Sequence, residues 1–300
     1  MKKHKNEKLG YVLVFLAGLL WGTIGVFMKE MSRGGASALY ISFLRVAFAF
    51  IIMLLFTFIK GGWTLMIFNK KQLLFSAMLG IVCHGIYNIF YSYAVTLTGV
   101  SVSAVLLNVA PAITMFTSVL LFGEQLTRGK MIAVLMNIIG CTLTATGGTF
   151  SLQAVSIIGI ACGVGAGISY AMTAILGRFA MEESDVFAVS TYSYLFAALF
   201  LVIPSKPWNI HLETGVLRIV VIGFLLALIP TAMAYVLYYR GLRLIEETTK
   251  VPVIASCETI VAAVLGVVLY QERLNAFSVV GILFVLSSIA LMNRRKLRRT

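Results

Sequence analysis

A single acid lies deep inside a long apolar stretch of this sequence. Glu258 stands about ten residues into the apolar run 249–270, and no basic residue lies within one helical turn of it. An ionisable side chain near the centre of a membrane helix costs about 2.5–3.5 kcal/mol on insertion scales. The functional interpretation of Glu258 is therefore exchange of a proton between two membrane faces, or binding of a substrate's amino group. A hydrogen bond that joins two helices is the structural alternative.

Arg45 is the basic residue within an apolar run. It stands about eight residues into the run 38–59. A guanidinium group binds carboxylates and phosphates through two parallel hydrogen bonds, which makes Arg45 a candidate clamp for an acidic substrate group. Its long stem can also reach a membrane interface, so an anchor to a helix end or to an interfacial phosphate is the alternative.

The third apolar run carries a polar face. His84, Asn88 and Tyr91 are spaced i, i+4 and i+7, and Tyr87 stands at i+3, so a helix places all four on one side. In lipid such a face must look toward a cavity or toward other helices. Asn108 in the following run can join this polar group.

Aromatic residues are candidates for the walls of the same cavity. Trp21 and Tyr170 occupy matching places in the two halves of the chain, and packing is the alternative role for both. Tyr235, Tyr238 and Tyr239 share a helical face near the end of their run. We predict that Tyr235 faces the cavity, whereas a face near a span end is more often part of the interfacial aromatic belt.

The elements that position these residues follow from composition. Of the 300 residues, 60% are hydrophobic and 12% are charged, and mean hydropathy is +0.98. Soluble domains have about 45–50% apolar and about 25% charged residues, which excludes a soluble enzyme. Continuous runs of about 20 residues fit membrane-spanning helices rather than barrel strands. Ten such runs are 9–28, 38–59, 73–97, 101–122, 130–148, 155–178, 186–204, 217–239, 249–270 and 275–293.

The fold class predicted is an all-α integral membrane protein with ten transmembrane helices. Only Leu97-Thr98-Gly99-Val100 separates the third run from the fourth, so a nine-span interpretation is the alternative. All four cysteines fall inside runs without metal-ligand spacing, so no metal and no cofactor are expected.

An internal repeat divides the chain. Leu121-Phe-Gly-Glu124-Gln-Leu126 resembles Leu269-Tyr-Gln-Glu272-Arg-Leu274, about half a chain later. We predict two repeats, residues 1–148 and 149–300, with five spans each. Because five is odd, the second repeat enters the membrane from the opposite side, the plan of many secondary transporters. Glu124 and Glu272 are predicted to be turn or cap residues rather than substrate ligands.

Small residues recur in the first helix of each half. The pairs Gly18/Gly22 and Gly163/Gly167 are predicted to allow close helix packing.

The net charge of +13 is concentrated beside the spans. Basic residues cluster before the first run, at every second connection and after the last run, where Arg294 to Arg299 form a tail. By the positive-inside bias, both termini are expected in the cytoplasm, and the protein in the cytoplasmic (plasma) membrane as a multi-pass protein. The basic tail is a topology signal, and no nucleic-acid partner is expected.

The chain resembles the EamA-type branch of the drug/metabolite transporter superfamily over essentially its whole length. The segments that carry this resemblance are Trp21-Gly22, Phe43-Leu44-Arg45-Val46-Ala47, Ala104 to Pro111 with Phe122-Gly123-Glu124-Gln125-Leu126-Thr127, and Cys257-Glu258-Thr259 with Tyr270-Gln271-Glu272-Arg273-Leu274. Thr259 departs from the family, which usually has a proline after this glutamate. The ninth helix is therefore expected to be less kinked.

The resemblance implies a transporter of small molecules, since most members export amino acids and other metabolites. Expected partners are a small-molecule substrate, membrane lipid and a coupling proton, and a homo-oligomer stays open. The leading hypothesis is an amino acid or metabolite exporter that works by alternating access. The alternatives are a multidrug exporter and, in a different class, an intramembrane enzyme, for which the spans lack a paired acid or a nucleophile with its base.

Overall fold

Ten long helices build the described part of the chain, and we number them α1 to α10. The structure is a computed structural model that describes residues 2–66, 70–149, 156–182, 184–209, 212 and 215–293, without the side chains of residues 2–6 and 101. The uninterrupted helices are α2 (Ala38–Gly61), α5 (Arg128–Thr146), α6 (Ile157–Ala180), α7 (Val186–Ser205) and α10 (Ala276–Met292).

The other five helices consist of consecutive segments. They are α1 (Lys2–Trp21, Ile24–Arg33), α3 (Lys70–Met78, Leu79–Ile86, Tyr87–Thr98), α4 (Val100–Leu107, Ala110–Phe122), α8 (Val216–Ala227, Leu228–Met233, Ala234–Leu244) and α9 (Lys250–Ala255, Cys257–Tyr270). A short 3₁₀ helix, Gly62–Met66, follows α2. Strands are absent from the described ranges.

The ten-span prediction is confirmed. Nine of the described helices are long and apolar enough to cross a membrane, and α10 adds a shorter apolar helix of 17 residues. Gly99 separates α3 from α4 with φ 82°, a conformation that suits a residue without Cβ. The nine-span alternative is therefore wrong. The basic tail from Arg294, used for the orientation, lies outside the described residues.

The two halves of the chain pack against each other symmetrically. Helix α1 packs against α8 and α9, while α6, its counterpart in the second half, packs against α3 and α4. The other large contacts join α2 to α7, α5 to α10, α3 to α7 and α2 to α8. Exchanging each helix for its counterpart leaves this set of pairs unchanged, as expected for two inverted five-helix repeats whose odd span count reverses their direction.

Glycines allow the closest of these contacts. A Cβ on Gly18 would lie 2.6 Å from the Ala255 carbonyl oxygen, and one on Gly22 would lie 2.5 Å from Cβ of Val261. In the other half, a Cβ on Gly163 would lie 2.4 Å from Leu106. The predicted role of these glycines in helix packing is confirmed, and the pairs hold α1 against α9 and α6 against α4.

Helix interruptions also occur at matching positions. Helices α3 and α8 each contain a π-helical segment, Leu79–Ile86 and Leu228–Met233. Pro230 explains the second because it has no N–H to donate, and the Thr231 hydroxyl bonds to the carbonyl of Leu226 at 2.8 Å. These segments were not apparent from the apolar periodicity.

Helix α9 is interrupted although Thr259 stands where the family usually has a proline. Its two segments meet at Ser256, and α4 breaks at the corresponding Asn108. The Ser256 hydroxyl donates to the carbonyl of Val253 at 2.6 Å, a local bond that competes with the helical ladder. The interruption lies three residues before Thr259 and spans one residue, whereas that of α4 spans two, so how strongly Thr259 affects the kink stays a prediction.

Two ends of the helix bundle are named here by their glutamates. The Glu124 end holds the turn between α4 and α5 and the connection 245–249 between α8 and α9. The Glu272 end holds the turn between α9 and α10 and the connection between α3 and α4. A cavity lies between the centre of the bundle and the Glu272 end.

Candidate functional site

A cavity of about 230 Å³ opens where α1, α3, α4, α5 and α9 meet. Both halves of the chain line it, with residues at or beside the breaks in α4 and α9 among the lining. Its lining residues are Trp21, Gly22, Gly25, Tyr91, Ala104, Leu107, Asn108, Ala145, Glu258, Thr259 and Ala262. Four of the residues singled out in the sequence, Trp21, Tyr91, Asn108 and Glu258, thus lie around one space.

Glu258 owes its position to the break in α9. It lies in the first turn of the segment Cys257–Tyr270, whose free backbone N–H groups favour negative charge. The hydroxyl of Tyr170 donates to its Oε1 at 3.2 Å. No Lys, Arg or His of the described chain lies within ion-pair distance of this carboxylate. The site therefore holds an acid whose charge the protein leaves available to a proton or to a cationic group.

Aromatic rings form a continuous wall beside this acid. Trp21 and Tyr170 meet edge to face with centroids 6.5 Å apart, and Tyr170 contacts Tyr87 at 5.8 Å. Tyr87 in turn stacks on Tyr91 at 5.9 Å. Trp21 also contacts Tyr235 at 5.0 Å. Trp21, Tyr170 and Tyr235, which are distant in sequence, thus form a wall suited to a flat or amphipathic molecule.

Arg45 lies in a second polar group behind this wall. Its Nη2 donates to Oδ1 of Asn88 at 3.4 Å, and the Ser42 hydroxyl donates to the same oxygen at 2.9 Å. The side chain is 8% exposed, and its Nε has no partner. Arg45 therefore bonds to a side chain of α3 rather than to a helix end, and one of its donors stays unused.

His84 belongs to the same group rather than to the cavity lining. It is buried, and its Nε2 has no partner. Its ring lies 5.1 Å from Tyr194 and 4.8 Å from Tyr235, and Asn88 donates its side-chain amide to the His84 carbonyl. The predicted inward direction of this face agrees with the burial of His84 and Asn88.

The prediction of an interfacial belt at Tyr238 and Tyr239 is wrong. Both are buried, and Tyr238 contacts Trp21 at 5.0 Å. A Cβ on Gly177 of α6 would lie 2.9 Å from the Tyr239 ring, so this glycine admits the tyrosine. The contact between α6 and α8 buries this helix face, which its position near the end of the span had predicted to lie among the lipid headgroups.

Sequence reasoning missed one polar residue that supports the site. Asn137 of α5 is buried and donates its amide to the hydroxyls of Ser256 and Ser288, the latter at 3.1 Å. The first bond fixes the break in α9 two residues before Glu258. A lone polar residue inside a span was the available signal.

The Glu124 end is closed by side chains from both halves. Glu124 accepts hydrogen bonds from the N–H of Thr248, from the N–H of Thr249 at 3.3 Å and from the Thr249 hydroxyl at 2.7 Å. Lys130 pairs with Glu124 at 3.8 Å and with Glu247 at 2.7 Å. Glu124 is therefore a cap, as predicted, but it caps a segment of the other repeat.

Comparison with known proteins agrees with this architecture. The sequence model of the EamA-like transporter family matches residues 8–146 and again 157–294, one match per repeat. A protein of Archaeoglobus fulgidus named "uncharacterized transporter" is 24% identical over 94% of this chain and 95% of its own length. The "uncharacterized inner membrane transporter YicL" of Salmonella typhimurium is 23% identical over 98% of both chains.

Two further comparisons concern sequence and fold. The "uncharacterized transporter YwfM" of Bacillus subtilis is 24% identical over 94% of this chain and 93% of its own. A solved crystal structure resembles the fold with a TM-score of 0.80 and 15% identity, over 95% of this chain and 96% of that chain. With two family matches that together cover most of its length, the chain belongs to the EamA-like transporter family and is a multi-pass membrane transporter.

Proposed function

We propose that this transporter is a secondary active exporter of an amino acid or a related small polar metabolite. The observation that carries the proposal is Glu258, an acid that lines a cavity between the two repeats and has no basic partner among the described residues. A carboxylate there can take up a proton from one side or hold the ammonium group of a substrate, but not both at once. Competition between proton and substrate for one acid couples their movements in opposite directions.

The polar group around Arg45 supports an acidic group on the substrate. A buried guanidinium whose Nε is unused and which has no carboxylate partner in the described part of the chain has capacity for an anion. The aromatic wall between Glu258 and Arg45 suits the apolar part of an amphipathic molecule. A zwitterion with an apolar side chain combines these three features.

Alternating access is the mechanism we propose. The cavity reaches from Glu258 toward the Glu272 end, while hydrogen bonds and ion pairs close the Glu124 end. Rocking of residues 1–148 against 149–300, the division we propose for the two moving units, would reverse this arrangement. We propose further that the Glu124 end and both termini are cytoplasmic in the cell membrane, since the basic clusters lie on that side.

The experiment uses purified protein in vesicles with an imposed pH gradient. Uptake of labelled amino acids, including aromatic and aliphatic ones, is measured for the wild type and for Glu258→Gln. We expect at least a tenfold loss of gradient-driven uptake in Glu258→Gln, with unchanged insertion, because the amide cannot release a proton. Glu182→Gln is the matched control, since this exposed acid pairs with Lys71 on the surface at 3.5 Å.

Wild-type rates and wild-type pH dependence in Glu258→Gln would contradict the coupling role. Multidrug export is the second candidate, favoured by the extent of the aromatic wall. Inhibition of amino acid uptake by lipophilic cations, unaffected by Arg45→Gln, would support that candidate instead.

A further inference from the structure

The turns around Glu124 and Glu272 have the same backbone. Each follows a residue in the left-handed region, Gly123 at φ 63° and Gln271 at φ 56°. The N–H of Glu124 bonds to the Ser118 carbonyl at 3.4 Å, and that of Glu272 bonds to the Gly266 carbonyl at 3.2 Å. Both pairs span six residues, so the repeat is preserved in hydrogen bonding as well as in sequence.

The next helices also start alike. Thr127 caps α5 by accepting from the N–H of Lys130, and Asn275 caps α10 by accepting from the N–H of Ser278. The two glutamates therefore stand on equivalent supports, one at each end of the bundle. Only what their carboxylates bind differs.

The carboxylate of Glu124 is buried against the other repeat, whereas that of Glu272 is largely exposed. The Glu124 side chain is 6% exposed, and it receives three hydrogen bonds from Thr248 and Thr249 of the other repeat. The Glu272 side chain is 62% exposed, and its ion-pair partner is Lys29, at 3.6 Å. By the repeat offset, the counterparts of Thr248 and Thr249 are Val100 and Ser101, which begin α4.

The residue that precedes α4 does not cap this helix. Gly99 precedes it and supplies no side-chain hydrogen bond, so the first N–H groups of α4 have no helical partner. Ser101 carries a hydroxyl, as Thr249 does. The set of donors that holds Glu124 therefore has a chemical counterpart near the Glu272 end.

One cation packs on the aromatic residue of each turn, and these two cations also differ in what they bind. Arg178 of α6 lies over the Phe122 ring at 5.4 Å, and Lys29 of α1 lies over the Tyr270 ring at 3.4 Å. Phe122 and Tyr270 are equivalent residues of the two turns. Arg178 also donates to the Ile245 carbonyl at 3.2 Å and to the Thr248 hydroxyl at 2.8 Å of its own repeat, so it joins Phe122 of the first repeat to the connection that Glu124 binds. Lys29, in the first repeat, pairs instead with the exposed Glu272 of the second repeat, beside an open pocket of about 530 Å³ that is lined by residues of α1 and of the end of α9.

We propose that Glu124 and Glu272 are alternating latches of the transport cycle. In the state described here, Glu124 holds residues 248–249 and the Glu124 end is closed. In the opposite state Glu272 leaves Lys29 and accepts from the N–H groups of Val100 and Ser101, while Glu124 releases Thr248 and Thr249. This inference rests on the alternating access proposed above, and it makes both glutamates positioning residues rather than substrate ligands.

The experiment measures distances between spin labels without any substrate. One label pair, Gly129→Cys with Arg240→Cys, reports on the Glu124 end, and a second, Thr96→Cys with Phe277→Cys, reports on the Glu272 end. All four positions are exposed. Cys162, the one partly exposed cysteine among the described residues, is replaced by Ala, and the three buried cysteines are kept.

Glu124→Gln should lengthen the first distance and shorten the second together, and should change the ratio of the two states by about tenfold. The amide keeps the size of the side chain but weakens bonds that the charged group accepts. Glu272→Gln should change the ratio in the opposite direction, and the double variant should return toward the wild-type ratio. Thr249→Val, which removes a single donor, should give a smaller shift in the same direction as Glu124→Gln even if that variant folds poorly. Glu182→Gln is the control and should leave both distances unchanged.

Three results would overturn the latch proposal. They are unchanged distances in both Glu124→Gln and Thr249→Val, a longer first distance without a shorter second one, and a double variant that matches Glu124→Gln alone. Because no substrate is used, the outcome is separate from the proposed substrate. Glu258-dependent transport with unchanged populations in Glu124→Gln contradicts the latch and spares the proposed function. If the populations shift as predicted but no amino acid is taken up, the latch is supported and the proposed function is contradicted.

Discussion

The Glu124 end and the Glu272 end of this molecule share one backbone turn but differ in what their glutamates bind. Their turns share backbone conformation, hydrogen bonds and capping residues. At the Glu124 end the carboxylate is buried against the other repeat, whereas at the Glu272 end the carboxylate faces solvent beside Lys29. The comparison teaches that the repeated backbone allows closure at either end without deciding which end closes.

Side chains that the repeat does not preserve decide between the ends. Lys130 binds Glu247 at 2.7 Å, and Lys250 binds Glu247 at 3.1 Å and Glu7 at 3.6 Å. The residues at the equivalent positions of Lys130, Glu247 and Lys250 are Ser278, Gly99 and Val102, which carry no charge. Closure of the Glu124 end therefore gains partly buried ion pairs that closure of the Glu272 end lacks, and the structure shows that end closed.

The largest effect is expected from removing the cation at the centre of this network. Lys130→Met leaves Glu124 and Glu247 without their shared partner, and the Lys130 side chain is only 9% exposed. Breaking a buried pair costs about 3–5 kcal/mol, and partial exposure of Glu247 reduces this to about 2 kcal/mol, or a shift of roughly thirtyfold toward the opposite state. The distance between the labels at the Glu124 end measures it.

Lys29→Met is the matched change at the other end. Its side chain is 42% exposed, and exposed pairs contribute at most about 1 kcal/mol. An equal or larger shift in Lys29→Met than in Lys130→Met would contradict the unequal roles of the two ends.

A smaller effect should follow from adding the missing cation to the Glu272 end. Ser278→Lys places an ammonium group at the position equivalent to Lys130, close in sequence to Glu272. We expect a shift of about threefold toward closure of the Glu272 end, because one new pair with the exposed carboxylate of Glu272 contributes less than about 1 kcal/mol. Ser278→Gln, with a similar length and no charge, is the control, and the same shift in both variants would exclude an electrostatic cause.

The smallest effect is expected from pH. Partial burial by itself raises the pKa of Glu247, but its bonds and charge attraction to Lys130 and Lys250 outweigh burial and hold that pKa below its ordinary value. A carboxyl group with a lowered pKa stabilises the closed Glu124 end above its ordinary range, and this contribution is lost as the pH falls through the lowered pKa.

Acidification should therefore open the Glu124 end slightly in the wild type and not in Glu247→Gln. The label pair at that end measures this as a function of pH. An identical acid response in the wild type and in Glu247→Gln would assign the effect to other groups.

Much of the fold could be predicted from the sequence, because hydrophobic runs reflect the lipid environment directly. Span count, inverted repeat and the packing role of Gly18, Gly22, Gly163 and Gly167 follow from patterns within one helix or between two copies of a motif. The break in α9 was not predicted from the sequence. Ser256 accounts for it through its own hydroxyl and its bond to Asn137, without a proline at position 259. Tyr238 and Tyr239 were likewise mispredicted because depth in a span does not reveal which face a neighbouring helix covers.

The sequence by itself determined that an acid, an arginine and a histidine lie inside the membrane, since an ionisable residue in an apolar run is visible without any coordinates. Only the tertiary structure decided that Glu258 meets Tyr170, that Arg45 meets Asn88 rather than an acid, and that Glu124 crosses to Thr248 and Thr249. Each of these contacts joins different helices. Helical periodicity gives the direction of a side chain about its own axis, whereas its partner depends on how the helices of the two repeats pack together.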